Sequence, residues 1–381
     1  MTERRDRPKW WFLVAVALTT TWLLGGDQPT DRARPRDDDP TRYLRGPDAG
    51  FARALAPRTF DFPSDHGAHD AFRSEWWYFT GHLGTANGRR FGFQLTLFRF
   101  ELAPTTITTT SAWRTPRVML GHFALSDIAA ARFHQAERLQ RAHPAFAGVR
   151  AEPLEIHLDD WSIHRLPGTA ERWTLAARGD GAAIALELEA RSAIVLQGEA
   201  GLSTKSATPG NASYYYSIPR LAAHGEVSVD GTTLAVEGDT WLDREWSTSA
   251  LDRAQRGWDW FALQLDDGAN LMFYRLRDAA GGVDPHSAGS LQSADGGVER
   301  LAAGDVSIVE TAWWRSPATG TRYPARWRLA VPRAGLVLEL VPELADQEWR
   351  GRFRYWEGAV TVAGTRTGRG YVELTGYEAG P

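Results

Sequence analysis

The strongest constraint on the fold is a period-two alternation that returns along most of the chain. In Arg90-Phe91-Gly92-Phe93-Gln94-Leu95-Thr96-Leu97-Phe98, residues Phe91, Phe93, Leu95 and Leu97 share one face. Helix faces repeat every 3.6 residues, so this spacing belongs to a strand. Ala183 to Ala190 alternates likewise, with Ile184, Leu186 and Leu188 opposite Glu187 and Glu189. Trp258 to Leu265 stops at Asp266-Asp267-Gly268, and Leu271 to Tyr274 resumes, which reads as a hairpin. Leu336 to Val341, Gly358 to Val362 and Gly370 to Thr375 are further strands, and Asn87-Gly88 and Asp230-Gly231 mark tight turns. Ile128 to Gln140 is the best candidate for a short helix. The pattern predicts an all-β, antiparallel barrel or sandwich architecture with few helices. The globular part begins near Phe60, and its roughly 320 residues exceed one eight-stranded barrel, so two halves are expected. They should meet near Ala222 to Thr240, giving domains over 59–230 and 231–381.

The N-terminus has a different character. Arg4, Arg5, Arg7 and Lys9 precede an apolar run from Trp10 to Gly26, broken only by Thr19, Thr20 and Thr21. This predicts a signal peptide over 1–26, or a membrane anchor if it is retained, and hence a periplasmic or secreted protein. Residues 27–58, rich in Arg, Asp and Pro, have little apolar surface to bury and are expected to form a disordered linker. The chain has no cysteine, which excludes disulfides, zinc–thiolate sites and a Cys nucleophile. A net charge of -4 without a basic stripe argues against nucleic acid as a partner. The 17 Trp and 16 Phe, against 3 Met, suit barrel cores and an apolar pocket.

Three segments carry candidate chemistry. In Glu75-Trp76-Trp77-Tyr78, a strand sends Trp76 and Trp77 to opposite faces, one to the core and one to a cavity or partner. His66 and His69 lie close enough to share a metal, but neither sits beside an Asp or Glu third ligand in the usual metal-site spacing, and structural hydrogen bonding is favoured. In Trp241-Leu242-Asp243-Arg244-Glu245-Trp246, residues Trp241, Asp243 and Glu245 share one face and Leu242, Arg244 and Trp246 the other. An acid among aromatics suits general acid catalysis, because burial lets a carboxyl keep its proton near neutral pH. The alternative is a structural ion pair with Arg244 or Arg253. In the third, Tyr371, Glu373 and Thr375 share a face close to Tyr355-Trp356-Glu357, either lining a site or facing solvent. No Gly-x-Ser-x-Gly elbow, His-Glu-x-x-His, phosphate loop or dinucleotide fingerprint is present.

Taken together these segments resemble the carotenoid 1,2-hydratase (hydroxyneurosporene synthase) and AttH-like family, on Phe62 to His66, Glu75 to His82, Phe91 to Arg99, Trp241 to Trp246, Trp258 to Leu265 and Tyr355 to Tyr377. The resemblance implies two tandem lipocalin-like (calycin-type) barrel or half-barrel domains, and water addition to an isoprenoid double bond without a redox cofactor. The hydratases carry their acid in a Tyr-His-Asp-His-Asn-Trp-Gly stretch. Here it matches Trp241 to Ser247, which keeps the Asp and the Trp but puts Trp241 for the Tyr and Arg244-Glu245 for His-Asn. The chain is thus similar to the secreted branch of the family. Asp243 and Glu245 are the expected catalytic pair, as acid and water-positioning group. Trp241, Trp246, Glu75, Trp76, Trp77, Tyr78, Trp258, Trp260 and Tyr371 are the expected ligand-binding residues, with no metal and with an apolar isoprenoid or lipid as the ligand. The other reading is a non-catalytic carrier of such a ligand, associated with export.

Overall fold

The computed structural model describes residues 49–104, 115–249, 251–252 and 254–378. The segment 1–26, expected to direct export or to anchor the chain, and residues 27–48 of the expected linker lie outside them. No helix among the described residues is long and apolar enough to cross a membrane. The end of the linker is packed rather than loose. Ala54 is buried, the Ala52 N–H donates to the Ala71 carbonyl at 2.8 Å, and the Tyr214 hydroxyl donates to the Ala56 carbonyl at 2.9 Å. Small apolar side chains here find a groove that composition alone does not reveal.

Two antiparallel sheets make up the fold. In the first, β1 (Ser74–Gly84), β2 (Arg90–Glu101), β3 (Arg117–Asp127) and β4 (Arg132–Arg141) form a meander. A second meander holds β5 (Ala147–Arg150), β6 (Glu155–Leu158), β7 (Trp161–Arg165), β8 (Arg172–Gly179) and β9 (Ala182–Ala190). Short β10 (Val195–Leu196) and β11 (Leu202–Thr204) pair with the long β12 (Ala212–Val229), which returns as β13 (Thr232–Ser247). The order is β4-β3-β2-β1-β13-β12-β9-β8-β7-β6-β5. The β4 side curls back to the other end of the sheet and nearly closes a barrel. His134 Nδ1 lies 2.7 Å from the Asp180 carbonyl, and Arg138 donates to the Leu158 carbonyl at 3.3 Å. Glycine is needed at the seam, because a Cβ on Gly179 would come 2.3 Å from that of Ala136.

The second sheet contains β14 (Gln255–Leu265), β15 (Asn270–Asp278), β16 (Ala288–Gln292), β17 (Val298–Ala302), β18 (Ser307–Arg315), β19 (Arg322–Val331), β20 (Leu336–Pro342), β21 (Glu348–Arg350), β22 (Arg354–Gly364) and β23 (Gly368–Thr375). Its order is β17-β16-β15-β14-β23-β22-β20-β19-β18, a half-barrel with β21 added on β22. Among the described residues the only helical pieces are three 3-10 turns. The helix expected over Ile128 to Gln140 is instead a turn leading into β4. Helix-forming Ala, Arg, Gln and Glu are overridden there by a continuous ladder to β3, from Val118↔Arg141 to Asp127↔Arg132. The Asp230-Gly231 turn joins two strands of one sheet, so the division expected at 230/231 falls inside the first sheet. The chain changes sheets between Ser247 and Gln255.

Both curved interiors are filled. Trp77, Phe79, Phe93, Leu95, Trp161, Trp173, Leu242 and Trp246 pack the first, and Phe261, Leu263, Trp327, Leu338 and Trp356 the second. A third cluster, holding Tyr78, Tyr215, Trp241, Trp260, Tyr274 and Tyr371, lies where the outer face of the first sheet meets the second.

Candidate active site between the sheets

Strand alternation builds this third region. On β1 the odd residues turn into the barrel and the even ones outward, so Trp77 is fully buried in the core while Trp76 lines a cavity. On β13 the outward residues are Trp241, Asp243 and Glu245. The register sets Trp76 opposite Glu245 and Tyr78 opposite Asp243 on one side, and Tyr215 opposite Glu245 and Ser217 opposite Asp243 on the other. The second sheet contributes Trp258 and Trp260 of β14, Tyr355 and Glu357 of β22, and Glu373 and Thr375 of β23. The cavity holds about 200 Å3, and Phe98, Phe100, Leu120 and Leu276 complete its apolar wall.

Four carboxyls and one ammonium give the cavity its chemistry. Asp243 is buried and, among the described residues, has no cationic partner. Its Oδ2 accepts from the Tyr215 hydroxyl at 2.5 Å, and its Oδ1 from Ser217 Oγ at 2.5 Å and Trp241 Nε1 at 2.7 Å. Burial pushes it up to about 6 against those three bonds. Glu245 is held differently, by the Ser213 hydroxyl and by Lys205 Nζ at 3.2 Å. Lys205 also sits 3.9 Å from the centre of the Tyr274 ring. Burial pushes the Tyr215 phenol well above its ordinary value, so it remains a proton carrier and not an anion. Glu357 accepts from Tyr78 at 2.6 Å and Glu373 from Trp258 Nε1 at 3.1 Å. Burial drives both upward, Glu373 to about 8.

The structure brings together Asp243, Glu245, Trp76, Tyr78, Trp258 and Trp260 in the cavity wall. Trp241 and Tyr371 belong to the same buried cluster, with Trp241 acting as a donor to Asp243. Glu75, Trp77 and Trp246 do not join them. Glu75 lies fully buried on the barrel side, bonded to Arg99 and Arg244, which hold its carboxyl far below the usual range against burial. Arg244 lies 4.0 Å from the Trp77 ring centre, and Trp246 stacks on His69 at 3.7 Å. These three residues follow from strand parity: each shares a face with Leu242 or Phe79, not with Asp243. The expected Arg244 ion pair exists, but with Glu75. His66 pairs with Tyr216 and Glu171, His69 with Asp65 and Glu75, so the two histidines share no site. Sequence reasoning missed Tyr215, Ser217 and Lys205. The alternating Ser213-Tyr215-Ser217 face was the available signal, but nothing local showed it to be apposed to Asp243.

A nearly closed barrel and a half-barrel, joined over a carboxyl-lined cavity, define a tandem lipocalin-like protein. A family model described as AttH-like matches residues 53–377, and the chain belongs to the AttH-like family. The crystal structure of an AttH protein from Nitrosomonas europaea is 34% identical, with a TM-score of 0.77 over 86% of this chain and 100% of that one. Kievitone hydratase from Nectria haematococca shares the fold at 16% identity, with a TM-score of 0.67 over 86% and 96% of the two chains. No curated protein sequence matches the chain significantly.

Proposed function

We propose that the chain is a hydratase, needing no redox cofactor, that adds water to a carbon–carbon double bond of an apolar isoprenoid or lipid held between the sheets. The observation that carries this reading is Asp243, a cavity carboxyl free of ion pairs among the described residues and poised at about 6. Such a group exchanges its proton near neutral pH, as a general acid must.

Tyr215 connects the acid to the ligand. When Asp243 is protonated, its O–H donates to the Tyr215 oxygen, and the phenol turns its own proton into the cavity. That proton adds to the less substituted alkene carbon as the Asp243 proton passes to the phenol oxygen, the π pair forms the new C–H bond, and a tertiary cation and the Asp243 carboxylate remain. Trp76, Trp258 and Trp260 line the same space, and a ring face toward such a cation is worth up to about 2 kcal/mol. Water adds its oxygen to the cation and gives its surplus proton to the Glu245 carboxylate, fixed by Ser213 and Lys205. Glu245 then releases that proton to solvent, and solvent restores the proton on Asp243. Trp241 is a positioning residue in this scheme, holding Asp243 through its indole N–H.

The shared fold of kievitone hydratase and the likeness of Trp241 to Ser247 to the hydratase stretch support the same reaction class. The replacement of His-Asn by Arg244-Glu245 leaves a carotenoid substrate without support, since Arg244 faces the barrel. The basic start and apolar run of residues 1–26 support action in the periplasm or outside the cell, with retention at the membrane as the alternative.

Asp243→Asn keeps the volume of the side chain but has no proton to give. Turnover of an alkene substrate is expected to fall by about a hundredfold or more, with ligand affinity nearly unchanged. In the native chain the rate is expected to fall as pH rises through about 6, because the acid form is being lost. Normal turnover by the Asn variant overturns the acid assignment. Tight binding by a native chain that converts nothing leaves the second reading, a non-catalytic carrier.

A further inference from the structure

Two cavity carboxyls take no part in the steps above. Glu357 of β22 and Glu373 of β23 are direct cross-strand partners, and both line the cavity. Residues so opposed carry Cβ atoms roughly 4.5–5.5 Å apart. Two negative charges at that spacing, in an aromatic wall, require a cation or must share a proton. Among the described residues neither carboxyl forms an ion pair, and Lys205 is engaged with Glu245 and Tyr274. Among the described residues each takes one hydrogen bond, from Tyr78 and from Trp258 respectively, on its Oε1. The second oxygen of each is left for a proton. A carboxyl that keeps its proton becomes a donor, and burial acts in that direction on both, with Glu373 adding to the effect on Glu357.

We propose that Glu357 and Glu373 form a hydrogen-bond-donating subsite that takes an uncharged oxygen (hydroxyl, carbonyl or ether) of an otherwise apolar ligand and turns away carboxylates. This rests on the reading of the cavity as the ligand site. A fatty acid anion would meet four carboxyls and a single ammonium already paired. A plain hydrocarbon would leave the two donors without acceptors. A ligand with a neutral oxygen at one end satisfies the second sheet and leaves its double bond for Asp243 and Tyr215 on the first. The pair therefore selects oxygenated isoprenoids or lipids and sets their direction in the cavity.

The test uses three probes of one skeleton: geraniol, geranate and the hydrocarbon 2,6-dimethyl-2,6-octadiene. Each is titrated into the full chain at pH 7 and followed by tryptophan fluorescence and calorimetry. Geraniol is expected to bind about tenfold more tightly than either of the others. A Glu357→Leu/Glu373→Leu chain should bind geraniol no better than the hydrocarbon. A Glu357→Gln/Glu373→Gln chain retains amide donors and should keep the preference for geraniol over the hydrocarbon. Geranate binding as tightly as geraniol, or a geraniol preference that survives the Leu substitutions, overturns the subsite and leaves the cavity reading intact. Failure of all three probes to bind overturns the cavity reading, and the subsite with it.

Discussion

At the scale of single residues, the fold separates buried carboxyls by what surrounds them. Glu75 is as buried as Asp243, yet two guanidiniums keep it ionised while Asp243 rises to about 6. Glu373 goes further, to about 8. The sign of its effect on stability follows from linkage. The folded chain holds a proton that the unfolded chain releases above its ordinary value of 4.5, so stability declines as pH rises from there to about 8. Glu373→Gln removes that decline. Urea unfolding is expected to find the variant close to the native chain at pH 4 and more stable at pH 8, by up to a few kcal/mol. An equal difference at both pH values would mean that Glu373 is not proton-bound in the fold.

At the scale of elements, β1 and β13 each serve two compartments through one alternation. Trp76 and Trp77 are neighbours in sequence and face different ones. Trp77→Ala opens a hole in the first barrel and is expected to cost about 3–5 kcal/mol in chemical denaturation. Trp76→Ala should cost less than half of that and instead weaken ligand binding severalfold. Comparable losses of stability from both would contradict the assignment of faces. This parity was legible in the sequence, as was the shared face of Trp241, Asp243 and Glu245. Trp246, Trp77 and Glu75, expected among the ligand residues for their aromatic and acidic side chains, fall by the same parity on the barrel face. Ile128 to Gln140 misled for the opposite reason: local propensity pointed to helix, and the deciding partner, β3, is a tertiary feature.

At the scale of the whole molecule, the site belongs to neither sheet alone. The cavity lies at the junction of the two sheets, where Asp243 and Glu245 of the first meet Glu357 and Glu373 of the second. The all-β class and the pair of lipocalin-like halves could be read from alternation, turns and the family resemblance. The apposition could not, because Tyr78 and Glu357 stand 279 positions apart and nothing local ties them. For the same reason the division of the chain was expected at a turn inside the first sheet.

The most direct test of the account is native mass spectrometry of the purified chain beside a Thr96→Trp variant. Thr96 lies in the middle of the cavity wall, where β2 pairs with Tyr78 on one side and His122 on the other, so an indole there fills the space without entering either core. One apolar, oxygen-bearing molecule is expected to be bound per native chain, and none in the folded variant. A native chain that is empty from several expression hosts, or a molecule retained equally by the Thr96→Trp chain, would contradict a ligand site between the sheets.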